Sequence, residues 1–204
     1  MSIQTYKALV KLGRNSEPSI QEFPLPNPGP DQVLVKIHST PINPSTVLRL
    51  NGKFGAFKEN EPNFLGGEGS GIIVALGEDL KISHKIGDKV HVLGMGTFGE
   101  YLLATLEQVF PIKGDLGFEQ AACHFSNSGT VLYMAHTIVK DGHKAAIHTA
   151  GSSALGRMLI RYFKHKGIKL INIVRKDEYI EELKAEGADY VLNSTAPDFE
   201  AKLG

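Results

Sequence analysis

Apolar residues recur along this chain with two different periods, and the change falls near residue 111. Up to there the runs are short and alternating. In residues 33–39, Val33, Val35 and Ile37 lie opposite Lys36 and His38, the two-residue period of a half-buried strand. Similar runs occupy residues 6–12, 71–76, 89–93, 101–104 and 108–111, separated by breakers such as Pro26-Asn27-Pro28-Gly29-Pro30 and Gly87-Asp88. Many short strands joined by glycine turns predict a small β-barrel.

Beyond residue 111 the period lengthens. Phe118, Ala121, Ala122, Phe125, Val131, Leu132, Ala135 and Ile138 fit two helical stretches over residues 117–139, broken near residues 126–129. The remainder reads strand, helix, strand, helix, strand at residues 144–149, 154–166, 169–174, 178–186 and 190–192. That alternation predicts a parallel sheet with right-handed crossovers. The expected fold class is therefore α/β plus β, with a β-barrel domain over residues 1–117 and connecting helices plus a partial parallel βαβαβ domain over residues 118–204.

Composition narrows the function more by exclusion than by indication. Lys plus Arg equals Asp plus Glu at 22 each, with no long block of either sign, so no basic footprint for nucleic acid exists. A single cysteine, Cys123, excludes an internal disulfide framework and reads as a small buried hydrophobe. No apolar run approaches the ~18 residues of a membrane span, and the first residues carry no recognisable targeting peptide, which leaves cytosol or mitochondrion as the expected compartment.

The most informative stretch is Ala145-Ala146-Ile147-His148-Thr149 followed by Ala150-Gly151-Ser152-Ser153-Ala154-Leu155-Gly156, a buried strand feeding a small-residue turn that opens a helix. Small residues let the backbone approach a pyrophosphate, whose charge is received by the helix's first N–H groups and dipole. Glycine turns join strands to helices widely, so the inference rests on the surrounding strand-turn-helix-strand unit. Ser152 and Ser153 can cap the helix or bond phosphate. About 20 residues further on, where an NAD-selective site places an acid for the ribose 2′-hydroxyl, stand Arg175 and Lys176. Their charge favours a 2′-phosphate and hence NADP(H); the alternative is a pair of solvated surface cations.

Taken in order, Pro41-Ile42-Asn43-Pro44-Ser45, the glycine-rich run from Leu65-Gly66-Gly67-Glu68 to Gly77, Gly87-Asp88-Lys89-Val90, Gly96-Thr97-Phe98-Gly99-Glu100-Tyr101 and Gln120-Ala121-Ala122 resemble the medium-chain dehydrogenase/reductase superfamily. The resemblance is to its zinc-independent branch of quinone oxidoreductases and mitochondrial-type 2-enoyl thioester reductases. It implies a GroES-like barrel followed by a Rossmann domain, with NADP(H) as cofactor and hydride transfer to a quinone or an activated double bond. It further implies that Asn43 lies beside the substrate and that Thr130 lies near the nicotinamide, although Ser128 stands where the family usually has proline; Thr130 otherwise reads as an ordinary helix residue.

No metal is expected, because Gly67 stands where zinc-dependent members place a histidine and Cys123 is the only thiol. Where the enoyl reductases carry a proton-donating tyrosine this chain has Phe54, which shapes a pocket but donates nothing. A quinone takes its proton from water and tolerates that loss better.

A full member continues through three more parallel strands, so the resemblance reads the chain as truncated within the Rossmann domain, leaving residues 145–148 at an exposed sheet edge. Two functions are then open. One is an active reductase acting on a small quinone or enoyl substrate; the other is an inactive structural subunit of a larger, for example mitochondrial, complex, with another polypeptide covering that edge. Neither involves nucleic acid or direct membrane insertion.

Overall fold

The computed structural model describes residues 4–78 and 84–204, and the chain divides into two compact units, Met1–Phe125 and Ser126–Gly204. In the first, strands β1 (Thr5–Lys11), β2 (Ser19–Pro24) and β4 (Asn63–Phe64) pair antiparallel in the order β2-β1-β4. Strands β3 (Gln32–Ser39), β5 (Glu68–Leu76), β6 (Lys89–Leu93), β7 (Tyr101–Thr105) and β8 (Val109–Pro111) form a second antiparallel sheet, ordered β7-β3-β5-β6-β8.

The alternation seen in the sequence decides which side of this second sheet is dry. Val33, Val35, Ile73, Val90, Val92, Leu102, Ala104 and Val109 are buried in one cluster, so five strands curl around a common core. Register shifts at Leu34/Val35 and Ile37/Ser39 bend β3 against β5. A bridge between Ala8 and Gly99 ties the smaller sheet to this larger one.

Helix α1 (Pro44–Leu50) starts with proline at its first position, where a missing N–H costs nothing. Helix α2 (Phe118–Ala122) is fastened to the sheet: Ser70 Oγ donates to the Phe118 carbonyl at 2.6 Å, and the Ala121 carbonyl lies 2.8 Å from His91 Nδ1. These bonds hold residues 118–125 to the first unit, so the compact unit ends at Phe125, whereas the sequence pattern divides the domains after residue 117.

The second unit is a parallel sheet in the order β11-β10-β9, built from β9 (Ala145–Thr149), β10 (Lys169–Val174) and β11 (Tyr190–Asn193). Helix α4 (Ala154–Lys166) buries Gly156, Leu159, Ile160 and Phe163, the i, i+3, i+4, i+7 stripe of an amphipathic helix, and ends at Gly167 in the left-handed conformation. That stripe packs with Leu170 and Val174 of β10, Leu183 of α5 (Glu178–Ala185), and Val131 and Ala135 of α3 (Ser126–Lys140). Arg157 pairs with Glu182 and Glu186, and Arg161 with Glu186, which clips α5 alongside α4.

The helical break differs from the expected one. It spans residues 123–125, and residues 126–129 form the first turn of α3 instead. The N–H groups of Cys123 and His124 bond back to the carbonyls of Gln120 and Ala121, closing α2 early, while the Thr130 hydroxyl donates to the Ser126 carbonyl. Gly129 is carried inside the helix with open space around it.

Candidate functional site

The turn between β9 and α4 is shaped by where its own N–H groups go. Gly151 N–H donates to the Ile173 carbonyl at 2.9 Å, Ser153 N–H to the Ala150 carbonyl at 2.9 Å, and Gly156 N–H to Ser153 Oγ at 3.0 Å. Ser153 is thus the N-cap of α4. The N–H groups of Ser152, Ala154 and Leu155 have no acceptor among the described residues. They sit at the positive end of a 13-residue helix, the arrangement that receives an anion.

Two glycines make this turn possible. A Cβ on Gly156 would lie 2.2 Å from the Gly151 carbonyl oxygen, and one on Gly151 would lie 2.9 Å from Asn172 Cβ in β10. Their side-chain hydrogens are where loop, helix and strand meet. Ala150 reaches φ 57°, the left-handed region that an L-residue occupies at a cost of about 1–2 kcal/mol. Ala150→Gly relieves that strain and concedes only about 0.4–1 kcal/mol of unfolded-state entropy. The variant should therefore melt at a slightly higher temperature, and a lower melting point by calorimetry would show that the strain is absorbed elsewhere.

A groove of about 1110 Å³ opens at the carboxyl ends of the strands, lined by Ala150, Ser152, Ser153, Arg175, Lys176 and further residues of the second unit. Five of the nine residues expected to bind cofactor therefore face one space. Gly151, Ala154, Leu155 and Gly156 are absent from that lining; Gly151 and Gly156 are buried beneath the turn, where their smallness acts on packing. Arg175 is exposed directly after β10 and makes no ion pair among the described residues. Lys176 instead donates to Glu178 at 3.0 Å, a bond that raises the lysine's pKa and lowers the glutamate's. The groove's far wall was not foreseen: Tyr179, Ser194 and Phe199 also line it. Ser194 follows β11, so the only available signal was that ligands bind at the carboxyl ends of parallel strands.

In the first unit Asn43 precedes α1 and its Nδ2 donates to Glu68 Oε1 at 2.7 Å. Glu68 is 3% exposed and opens β5. Thr40 Oγ1 donates to the Glu68 carbonyl at 2.8 Å and lies 2.9 Å from Thr97 Oγ1, so half-buried Asn43 and Thr40 join buried Glu68 and Thr97 in one polar network. Asn43→Ala should destabilise by about 1–3 kcal/mol, the penalty for removing one partner of a buried charged group. An unchanged urea midpoint would mean that the bond contributes nothing.

Phe54 is 54% exposed, on a loop that Arg14 grips by donating to the Gly52 and Gly55 carbonyls. Thr130 lies in α3, in the second unit, with its hydroxyl given to the Ser126 carbonyl at 2.7 Å. Among the described residues no group of three or more His, Cys, Asp or Glu is placed to hold a metal ion, and no helix is long and apolar enough to cross a membrane.

Residues 29–114 match the model of the alcohol dehydrogenase GroES-like domain. The chain is 35% identical over 175 residues to the mitochondrial enoyl-[acyl-carrier-protein] reductase of Caenorhabditis elegans, a match covering 81% of this chain and 49% of that protein. Among solved structures, a Mesorhizobium loti protein assigned to the NADPH:quinone reductases superposes with a TM-score of 0.84 at 33% identity, over 100% of this chain and 64% of its own. The quinone oxidoreductase of Coxiella burnetii gives 0.86 at 25% identity, over 98% and 66%. The chain thus spans about half the length of that curated relative and about two thirds of the solved chains.

Proposed function

The chain belongs to the medium-chain dehydrogenase/reductase superfamily, in the branch of quinone oxidoreductases and enoyl thioester reductases, and from that premise we propose that it serves NADP(H)-dependent reduction of a quinone or an activated double bond. One observation carries the reading: Arg175, without a carboxylate partner among the described residues, lines the same groove as the turn that opens α4. The groove's donors fit the cofactor's two anionic groups. The N–H of Ser152 in the groove wall, with the free N–H groups of Ala154 and Leu155 just behind it at the start of α4, would receive the pyrophosphate, and Arg175, with Lys176 beside it, the 2′-phosphate.

The bound nicotinamide would supply the hydride. The chain's own residues would bind and orient: Asn43 beside the substrate, Thr130 near the nicotinamide. Phe54 has no proton to give, so a quinone, protonated from water, suits the site better than an enoyl thioester. Cytosol and mitochondrion both suit this chemistry.

Titration calorimetry with the whole chain should give tighter binding of NADPH than of NADH, and NADPH oxidation should be faster with a quinone than with a short enoyl thioester. Equal nucleotide affinities would remove the cofactor assignment, and a faster enoyl reaction the substrate preference.

A structural-subunit reading is favoured by β9. Among the described residues it pairs only with β10, Ile147 is 59% exposed, and His148 Nε2 is buried without a partner, burial holding that imidazole's pKa down. Such an edge accepts another strand. On this reading the chain binds nucleotide, turns over nothing, and elutes with a polypeptide that protects the β9 amides from hydrogen exchange.

A further inference from the structure

Away from the nucleotide groove, the first unit carries an open pocket of about 540 Å³ between β6, β8 and α2, within the size range of small-ligand sites. Its walls are mostly apolar and aromatic, Phe110, Phe125, Pro111, Ile112 and Leu116, with the exposed Lys113 and His124 at the solvent side. Its one deeply buried polar side chain is His91, 3% exposed. The Phe125 ring stacks on His91 at 5.8 Å and 12°, and Phe110 packs on Phe125 at 5.2 Å.

The tautomer of His91 follows from its single hydrogen bond. A carbonyl oxygen can only accept, so His91 Nδ1 carries the proton and donates to Ala121 at 2.8 Å. Nε2 is then a bare acceptor, and it is shut off from solvent with no partner. Burial, the largest influence, lowers the pKa of this imidazole and keeps it neutral. Protonating Nε2 would put an unpaired charge among aromatic rings, so the missing partner is a donor and not an anion.

We propose that this cavity binds a small neutral aromatic compound carrying one ring O–H or N–H, a phenol or an indole, which stacks among Phe110 and Phe125 and donates to His91 Nε2. Aromatic walls favour a flat ring through offset or edge contacts, and the buried, unpartnered acceptor at His91 selects for a donor. Phe110 and Phe125, 36% and 40% exposed, form the mouth and are the side chains that must turn to admit the ring. The site is independent of the nucleotide groove, all its lining residues lying in the first unit.

The probes are 4-methylphenol and its methyl ether, which keeps ring and oxygen but has no donor. Titrated into the whole chain and followed by nitrogen NMR of the histidine rings, the phenol should bind about tenfold more tightly than the ether, the factor of one recovered buried hydrogen bond. It should also shift the His91 Nε2 resonance. Leu116→Trp, which fills the cavity from its outer wall, should abolish both, and His91→Phe should bind the two probes equally. Equal affinities in the unaltered chain, no saturable binding of the phenol, or binding that survives Leu116→Trp would each overturn the proposal. These outcomes do not depend on whether His91→Phe folds, nor on NADPH.

Discussion

Arg175→Ala should weaken NADPH binding by one to two orders of magnitude while leaving NADH affinity within about twofold, and among the variants considered it should act most strongly on cofactor choice. Arg175 is the first residue after β10, exposed, and without an ion pair among the described residues, so its removal breaks nothing in the apo fold. The loss should therefore appear only against the phosphorylated nucleotide. Lys176 cannot substitute fully, because its ammonium is held by Glu178 at 3.0 Å and it is a point charge without the guanidinium's fork. Arg175→Glu should go further and invert the preference toward NADH, by giving the ribose hydroxyl an acceptor and repelling the phosphate. Parallel calorimetric titrations decide it: if both nucleotides weaken together, Arg175 is a general cation at the groove mouth and not a reader of the 2′-phosphate.

How far the molecule was legible beforehand depends on where each feature's cause lies. Helix α4 carries all its causes locally: the stripe at Gly156, Leu159, Ile160 and Phe163, the cap at Ser153 and the stop at Gly167. It lies at residues 154–166 by period and by structure alike. Strand β2 is different. Ile20 faces solvent and its pairing is to the β1 backbone, so no alternation marks it, and it was not anticipated. The break between α2 and α3 was misplaced because Ser126, Ser128 and Gly129 are poor helix residues in isolation, while the bonds that end α2 earlier depend on its own geometry.

The candidate site divides along the same line. Its glycine turn and Arg175 lie within one stretch of chain and show in the residues themselves. Its far wall, Tyr179, Ser194 and Phe199, assembles only once β9, β10 and β11 are side by side. Glu68 was visible only as part of a glycine-rich run; its burial and its bond from Asn43, 25 residues away in sequence, appear only in the folded chain.

Gly156→Ala should damage both stability and binding, because the space a methyl group needs is already filled by backbone. The added carbon would sit 2.2 Å from the Gly151 carbonyl oxygen and 2.7 Å from its carbon, well inside contact distance, and neither is the yielding end of a flexible side chain. Relief requires moving either the β9–α4 turn or the start of α4. The turn is pinned by Gly151 N–H on the Ile173 carbonyl, and α4 by Leu159, Ile160 and Phe163 in the core of the second unit. Alanine's better helix propensity returns only about 1 kcal/mol, against about 1–3 kcal/mol or more for overpacking. The net expectation is a lower melting point for the second unit and a loss of NADPH affinity of at least about tenfold, since the N–H groups of Ser152, Ala154 and Leu155 no longer converge. Gly129→Ala, in a helix with nothing near its Cβ, is the control and should be neutral or stabilising. If Gly156→Ala matches that control in melting point and in binding, the close approach at this turn is not a constraint on the fold, and the nucleotide groove would have to be rebuilt on other atoms.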